Sequence, residues 1–248
     1  MRVCFRNGMW MHQENGVTFV DSPTLDYHPS IFSTWANEME AATVNATDCW
    51  FYVYKPSLGD LIIDAGAGKG EDTIAFSKVV GPTGKVLSIE AHPITFLCLR
   101  LFCELNNLHN VTASNFAIID GTRPMAIESQ KGWQANRVVP IDTKDSIRVP
   151  GLSLDELVER ENIRRVDFLK MNIEGAEALA LRGMEETLRI TRALCISCHD
   201  FRADNSEGEF FRTKRLVQEA VKQAGFRIVS RDADPRPDVA NQVNAVRE

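Results

Sequence analysis

The chain has 248 residues, of which 44% are hydrophobic and 25% charged, with a formal net charge of −6. That length suits one domain with an appendage, and the composition is that of a globular rather than a disordered chain. The acidic balance speaks against nucleic acid or an anionic membrane as partner, since both favour a basic face. No run approaches the ~20 apolar residues of a membrane span, and Met1 to Gly8 lack a signal-peptide core, so a soluble, cytoplasmic protein is expected.

Residues 1–59 carry 10 of the 20 aromatic side chains, including all three tyrosines. A segment so rich in rings should be packed, and it is predicted to form a cover on a main domain, 60–248. Tyr and Trp suit surfaces with one apolar and one wet side. The cover is therefore read as a core-completing layer, a lid over a ligand, or the face of a homo-oligomer.

From residue 60, short β-branched runs alternate with helical patterns, which predicts a parallel α/β sheet. Residues 61–63 form a strand ending at Asp64, and a helix runs from about Gly70 to Gly81. Lys85–Ile89 is the second strand, ending at Glu90, and Pro93 opens a helix where its missing N–H costs nothing. Val111–Ser114 is the third strand, and the Gly- and Pro-punctuated residues 116–150 read as a β-rich excursion. Ser153-Leu154-Asp155-Glu156 is a capping box, and Val166–Met171 and 193–198 are the fourth and fifth strands, separated by a helix from Gly175 to about Ile190. A helix carrying Val217, Ala220, Val221 and Ala224 follows, capped by Gly225. Residues 226–230 and 242–246 then pair as a terminal antiparallel hairpin, giving seven strands. Cys195 and Cys198 in one strand point to opposite faces, so they share neither a metal nor a disulfide.

Asp64-Ala65-Gly66-Ala67-Gly68-Lys69-Gly70 follows a buried strand and precedes a helix. Glycines there allow tight turning and close backbone approach to a ligand. A phosphate-binding loop needs G-x-x-x-x-G-K-[ST], but here the first position is Ile63 and the residue after Lys69 is Gly70. A dinucleotide loop needs G-x-G-x-x-G with pyrophosphate on the helix N-terminus, yet Glu71 and Asp72 place two carboxylates there. A ligand with a positive end fits better. S-adenosylmethionine has a sulfonium and an amine and no phosphate. Gly66, Gly68 and Gly70 would then cradle it, Asp64 would accept from its amine, and Glu90 from its ribose hydroxyls. Asn172, Glu174, His199 and Asp200 lie at the ends of the fourth and fifth strands, which in such sheets line the same crevice. His199 is the natural general base, with an unperturbed pKa of ~6.5.

These stretches carry a resemblance. Ile63 to Gly68, Gly84 to Pro93, Asn106-Asn107-Leu108, Leu154-Asp155-Glu156-Leu157 and Asp167 to Glu177 resemble the FkbM-type methyltransferases that use S-adenosylmethionine. The resemblance spans about residues 50–230 and implies a Rossmann-like class I fold. It implies O-methylation of a hydroxyl on a small molecule, a sugar or a polyketide-type natural product, and it implies that Asn115 and Ala117 lie near the adenine. Two departures stand out: Asn172 replaces the family's aspartate, and Cys198-His199-Asp200 replaces its Glu-x-His. Some class I O-methyltransferases bind Mg²⁺ at these strand ends, and Asn172, Glu174 and Asp200 are the corresponding ligand set here. The amide at 172 removes one anionic oxygen from that set, which favours His199 as a metal-free base with Glu174 and Asp200 beside it. Two rivals remain, a nicotinamide-dependent oxidoreductase and a non-catalytic S-adenosylmethionine-binding module.

Overall fold

The computed structural model describes residues 2–22, 38–128, 138–139 and 146–247. β1 (Arg2–Arg6), β2 (Met9–Glu14) and β3 (Val17–Asp21) form an antiparallel meander. Asn7-Gly8 and Asn15-Gly16 close its two hairpins with all four residues at positive φ, the backbone twist that two-residue hairpin loops require. α1 (Glu38–Asn45) runs on into a π-helical turn, Ala46–Trp50.

The main domain then alternates strand and helix: β4 (Leu61–Ala65), α2 (Glu71–Val80), β5 (Lys85–Ile89), α3 (Pro93–Leu105) and β6 (Val111–Ser114). The predicted excursion is a second, four-stranded sheet built from β7 (Ala117–Ile118), β8 (Arg123–Glu128), β9 (Val138–Val139) and β10 (Ser146–Leu152). The pattern resumes with α4 (Leu154–Arg160), β11 (Val166–Met171), α5 (Glu177–Ala180), α6 (Glu185–Ile190) and β12 (Thr191–Ser197). α7 (Asp200–Asp204), α8 (Lys214–Gln223), β13 (Arg227–Val229), α9 (Pro237–Ala240) and β14 (Gln242–Val246) complete it. The single helix predicted over 175–190 is instead two short helices joined by a 3-10 turn at Leu181–Gly183. Gly183 approaches the Ile119 and Asp120 backbone so closely that a Cβ would lie 2.6 Å from the Ile119 carbonyl oxygen.

The seven-stranded sheet has the order β13-β14-β12-β11-β4-β5-β6, and β14 alone runs antiparallel to the others. Residues alternate between its two faces, as a strand's two-residue period requires. Ile63, Leu169 and Leu194 meet α4, α6 and α8 on one side, while Ile62, Phe168 and Ala193 meet α2 and the π turn on the other. The same alternation separates the two cysteines: Cys198 joins the first cluster and Cys195 the second, both as free thiols.

Among the described residues, the segment expected as an aromatic cover falls into two parts, while Tyr27, Phe32 and Trp35 lie outside the described residues. The β1–β3 meander packs Met9, Met11, Val17, Phe19 and Val20 on the outer surface of α2 and α3, against Ile74, Cys98 and Phe102. Of these two described parts, α1 and its π turn reach the cavity described below. Among the described residues, no helix is long and apolar enough to cross a membrane.

Candidate active site

The chain leaves β4 outward to β5 and β6, then returns to β11 on the other flank of β4. A reversal of strand order opens a crevice at the carboxyl ends of the two diverging strands. A cavity of about 540 Å³ lies there, within the size range of small-molecule sites.

The glycine loop forms one wall. Gly66 has φ +75°, and a Cβ on it would sit 1.9 Å from the Asn172 carbonyl oxygen. Its need for glycine is thus set by the end of β11, although it also lines the cavity. Gly70, at φ +107°, is pressed onto Phe102 and lies outside the lining. Gly68 lines the cavity and donates its N–H to Glu90 at 3.0 Å.

Glu90 leaves β5 facing the cavity. One oxygen accepts from Gly68 and the other from the His92 N–H at 2.9 Å. Burial pushes its carboxyl up to about 7, against the pull of those two N–H donors. Phe116, Ala117, Ile118 and Ile127 add an apolar slot beside it. Asn115 falls behind this wall, where its amide donates to the Glu90 and Ala91 carbonyls at 2.8 and 2.9 Å and fixes the loop.

Asp64 requires a correction. It is fully buried outside the lining, accepting from Lys170 Nζ at 2.9 Å and from the Thr73 hydroxyl at 2.6 Å. Lys170 is itself buried and also donates to the Gly66 carbonyl at 2.8 Å, so Asp64 anchors the loop through a lysine rather than meeting a ligand. The carboxylate that reaches the cavity is Asp72, in the first turn of α2. The Asn45 amide donates to it at 3.1 Å, and burial raises its pKa while Lys170, 4.0 Å away, opposes the rise. Glu71 instead pairs with Lys69 at 3.5 Å.

At the far wall, Asn172, Glu174 and His199 come together as expected from their strand ends. Asn172 lines the cavity, and its side-chain oxygen is buried without a hydrogen-bond partner. His199 is buried between two carboxylates, with Nε2 3.4 Å from Glu174 and Nδ1 3.4 Å from Glu177. Burial opposes charge on the ring, but the neighbouring carboxylates of Glu174 and then Glu177 outweigh it and raise the imidazole to about 9. Glu174 adopts φ +55°, and burial opposes its ionisation; His199 and Arg202, 2.6 Å away, still hold its carboxyl below the usual range. Glu177 is fully buried and also binds the Gly175 N–H and the Thr213 hydroxyl, so it acts on the ring from behind.

Asp200 is not in this group. Its carboxylate accepts from the Thr213 and Lys214 backbone N–H groups at 2.8 and 3.0 Å, capping α8 from a distance. With Asp200 turned away and Glu174 held by an arginine, Asn172, Glu174 and Asp200 do not fit a shared divalent cation. Among the described residues, no group of three His, Cys, Asp or Glu side chains could hold one.

Ser197, Arg202 and Gln242 also line the cavity and were not singled out from the sequence, and Trp50 joins them from the aromatic segment. Arg202 lies one helical turn after His199. Polar residues at 242 and 244 in an otherwise apolar strand were a legible signal of a special wall.

The reversal of strand order, the crevice above it and the antiparallel β14 define a class I methyltransferase fold. The sequence profile of the methyltransferase FkbM domain matches residues 64–228, more than half the chain, and the protein belongs to that family. It is 26% identical to Methyltransferase 1 of Beauveria bassiana (strain ARSEF 2860) over 206 residues, covering 72% of this chain and 75% of that one. Methyltransferase FkbM from Methylobacillus flagellatus KT has the same fold, with a TM-score of 0.53 at 19% identity. That comparison covers 78% of this chain but only 45% of the larger protein.

Proposed function

We propose that the protein transfers a methyl group from S-adenosylmethionine to a hydroxyl oxygen of a small molecule such as a sugar or polyketide-type product. Glu90 is the observation that carries this reading. It stands at the end of β5 in the cavity, and each oxygen accepts a single backbone N–H, leaving lone pairs for a vicinal diol such as ribose. The slot of Phe116, Ala117 and Ile118 beside it suits a flat base. Asp72 supplies negative charge where a pyrophosphate would have to dock, which disfavours the nicotinamide alternative.

When bound, this cofactor supplies an electrophilic methyl group: as the acceptor oxygen bonds to the carbon, the C–S bond breaks and sulfur keeps the electron pair. In molecules whose ring is neutral, His199 takes the acceptor's proton at Nε2 once the acceptor hydroxyl replaces Glu174 beside that nitrogen, while Glu177 on Nδ1 holds the ring and stabilises the imidazolium that results. The two glutamates alter the expected pH behaviour. With the imidazole raised to about 9, only about one molecule in a hundred has it neutral at pH 7. A cation bound nearby would lower that value by like-charge repulsion. His199 favours a catalyst over a passive binding module, because it places a titrating imidazole on the cavity wall, which cofactor binding alone does not require. No step is assigned to a metal, since the three residues named for one do not converge. Calorimetry with S-adenosylmethionine, S-adenosylhomocysteine and NAD tests the reading: the first two should bind and NAD should not. NAD heat without adenosylmethionine heat would overturn it.

A further inference from the structure

The cavity lining comprises two groups of residues, those around the glycine loop and Glu90 and a second group, termed the second compartment, that the cofactor reading leaves unassigned. The second group is Asn45 and Trp50 from the α1 segment, Ser197 from β12 and Gln242 from β14, with the exposed Asp238 beside them, and it adjoins the cofactor group through the bond from the Asn45 amide to Asp72. Residues 45, 50, 238 and 242 all lie outside the 64–228 span that matches the family profile. The two flanking segments are clasped together: Arg236 pairs with Asp48, and Arg231 donates to the Asp48 carbonyl while stacking on Tyr52. The compartment is therefore built in part by this chain's own flanks, which these ion pairs clasp together.

Its chemistry is specific. Ser197 and Gln242 are register partners across β12 and β14, so their side chains adjoin on one face. Gln242 is only 4% exposed, yet its amide oxygen has no hydrogen-bond partner. A buried amide of this kind costs stability unless something satisfies it. The cavity's acids are Asp72, Glu90, Glu174 and Asp238, and its arginine and buried histidine are both committed, Arg202 to Glu174 and Glu207, His199 to Glu174 and Glu177. Lys170 faces Asp64 and Gly66. His92, the remaining lining base, caps α3 at the cofactor end, and burial keeps its ring from charging. Among the described lining residues, an anionic group in this compartment would meet carboxylates and no uncommitted cation.

We infer that this compartment binds the methyl acceptor, that Gln242 is a specificity-determining residue within it, and that it takes a neutral or cationic, hydroxyl-bearing molecule while rejecting one that carries phosphate or carboxylate. The inference rests on the transferase reading above, and one experiment separates the two. The full chain is incubated with methyl-labelled S-adenosylmethionine and the small-molecule extract of the cells that make it, products are separated on an anion exchanger at pH 7, and label is counted only in species other than the cofactor that are absent from a control without the protein. Label should emerge in the unretained fraction. Gln242→Ala should then raise the KM for that fraction about tenfold, the factor worth ~1.4 kcal/mol, with cofactor affinity unchanged within twofold. Gln242→Asn should recover part of the loss, which a merely unfolded variant would not show. Label retained on the exchanger, or a Gln242→Ala variant that weakens cofactor binding and spares KM, would overturn the inference. Label in no fraction, from protein that binds the cofactor, would instead overturn transfer to a small molecule.

Discussion

Two titrating side chains give the site its pH signature. Glu90 is raised to about 7, so it is largely neutral below that pH and loses acceptor lone pairs for a diol. Affinity for S-adenosylhomocysteine should accordingly fall as pH drops from 8 to 6, and the slope should vanish in Glu90→Gln; calorimetry across that range decides it. Glu90→Ala should cost on the order of 2–4 kcal/mol of binding, as expected for losing bonds to an ionised acceptor. His199 runs the other way. Its folded-state value of about 9 exceeds the unfolded 6.5, so the folded state holds the proton more tightly. Its stabilising contribution is complete below pH 6.5 and is lost as pH rises through 9. An NMR titration should place the ring near 9, and turnover should climb with pH towards that value rather than level off near 6.5. His199→Ala should lower turnover ~10²–10⁴-fold; full activity in that variant would remove the base assignment.

At the scale of elements, strand ends and helix starts divide the acidic residues between binding and scaffolding. α8 opens at Thr213 without a side-chain cap of its own, and Asp200 supplies the missing acceptor from the start of α7. Asp200→Ala should therefore destabilise the protein by about 1–2 kcal/mol, the usual cost of losing a cap, and leave cofactor affinity intact. Denaturant melts and calorimetry on the same sample check this, and a hundredfold loss of turnover at unchanged stability would restore the catalytic role. The glycine loop is equally a matter of element packing. Gly66→Ala drives a methyl group into the Asn172 carbonyl, a backbone atom that cannot swing aside. That variant should lose both folding yield and cofactor binding.

For the whole molecule, the buried Lys170–Asp64 pair ties the two strands at the switch point. The pair spans 106 positions of sequence and joins register partners on β11 and β4. Lys170→Met leaves Asp64 charged and unpaired in the interior, which should cost ~3–5 kcal/mol. Lys170→Met combined with Asp64→Leu should recover much of that in urea denaturation, because the stranded charge is removed. A double variant no better than the single would show that the lysine's bond to the Gly66 carbonyl, and not the ion pair, dominates.

The sequence by itself determined the strands of the main sheet, the glycine loop after β4 and the strand-end positions of Glu90, Asn172, Glu174 and His199. Each of these is written in a local pattern, either a run of β-branched residues or a break at its end, and open parallel sheets put such ends around one crevice. Only the tertiary structure decided which carboxylate meets the cavity. Asp64 and Asp72 both flank the loop in sequence, but Lys170 arrives on a neighbouring strand and claims Asp64, leaving Asp72 exposed to the site. The same holds for His199. Its strand-end position was legible, whereas its raised pKa comes from Glu177 and Glu174, brought there by the turn after β11. The second compartment was least legible, because Asn45, Trp50 and Gln242 sit at opposite ends of the chain. They become one wall only when β14 inserts beside β12 and Arg236 reaches Asp48, 188 residues away.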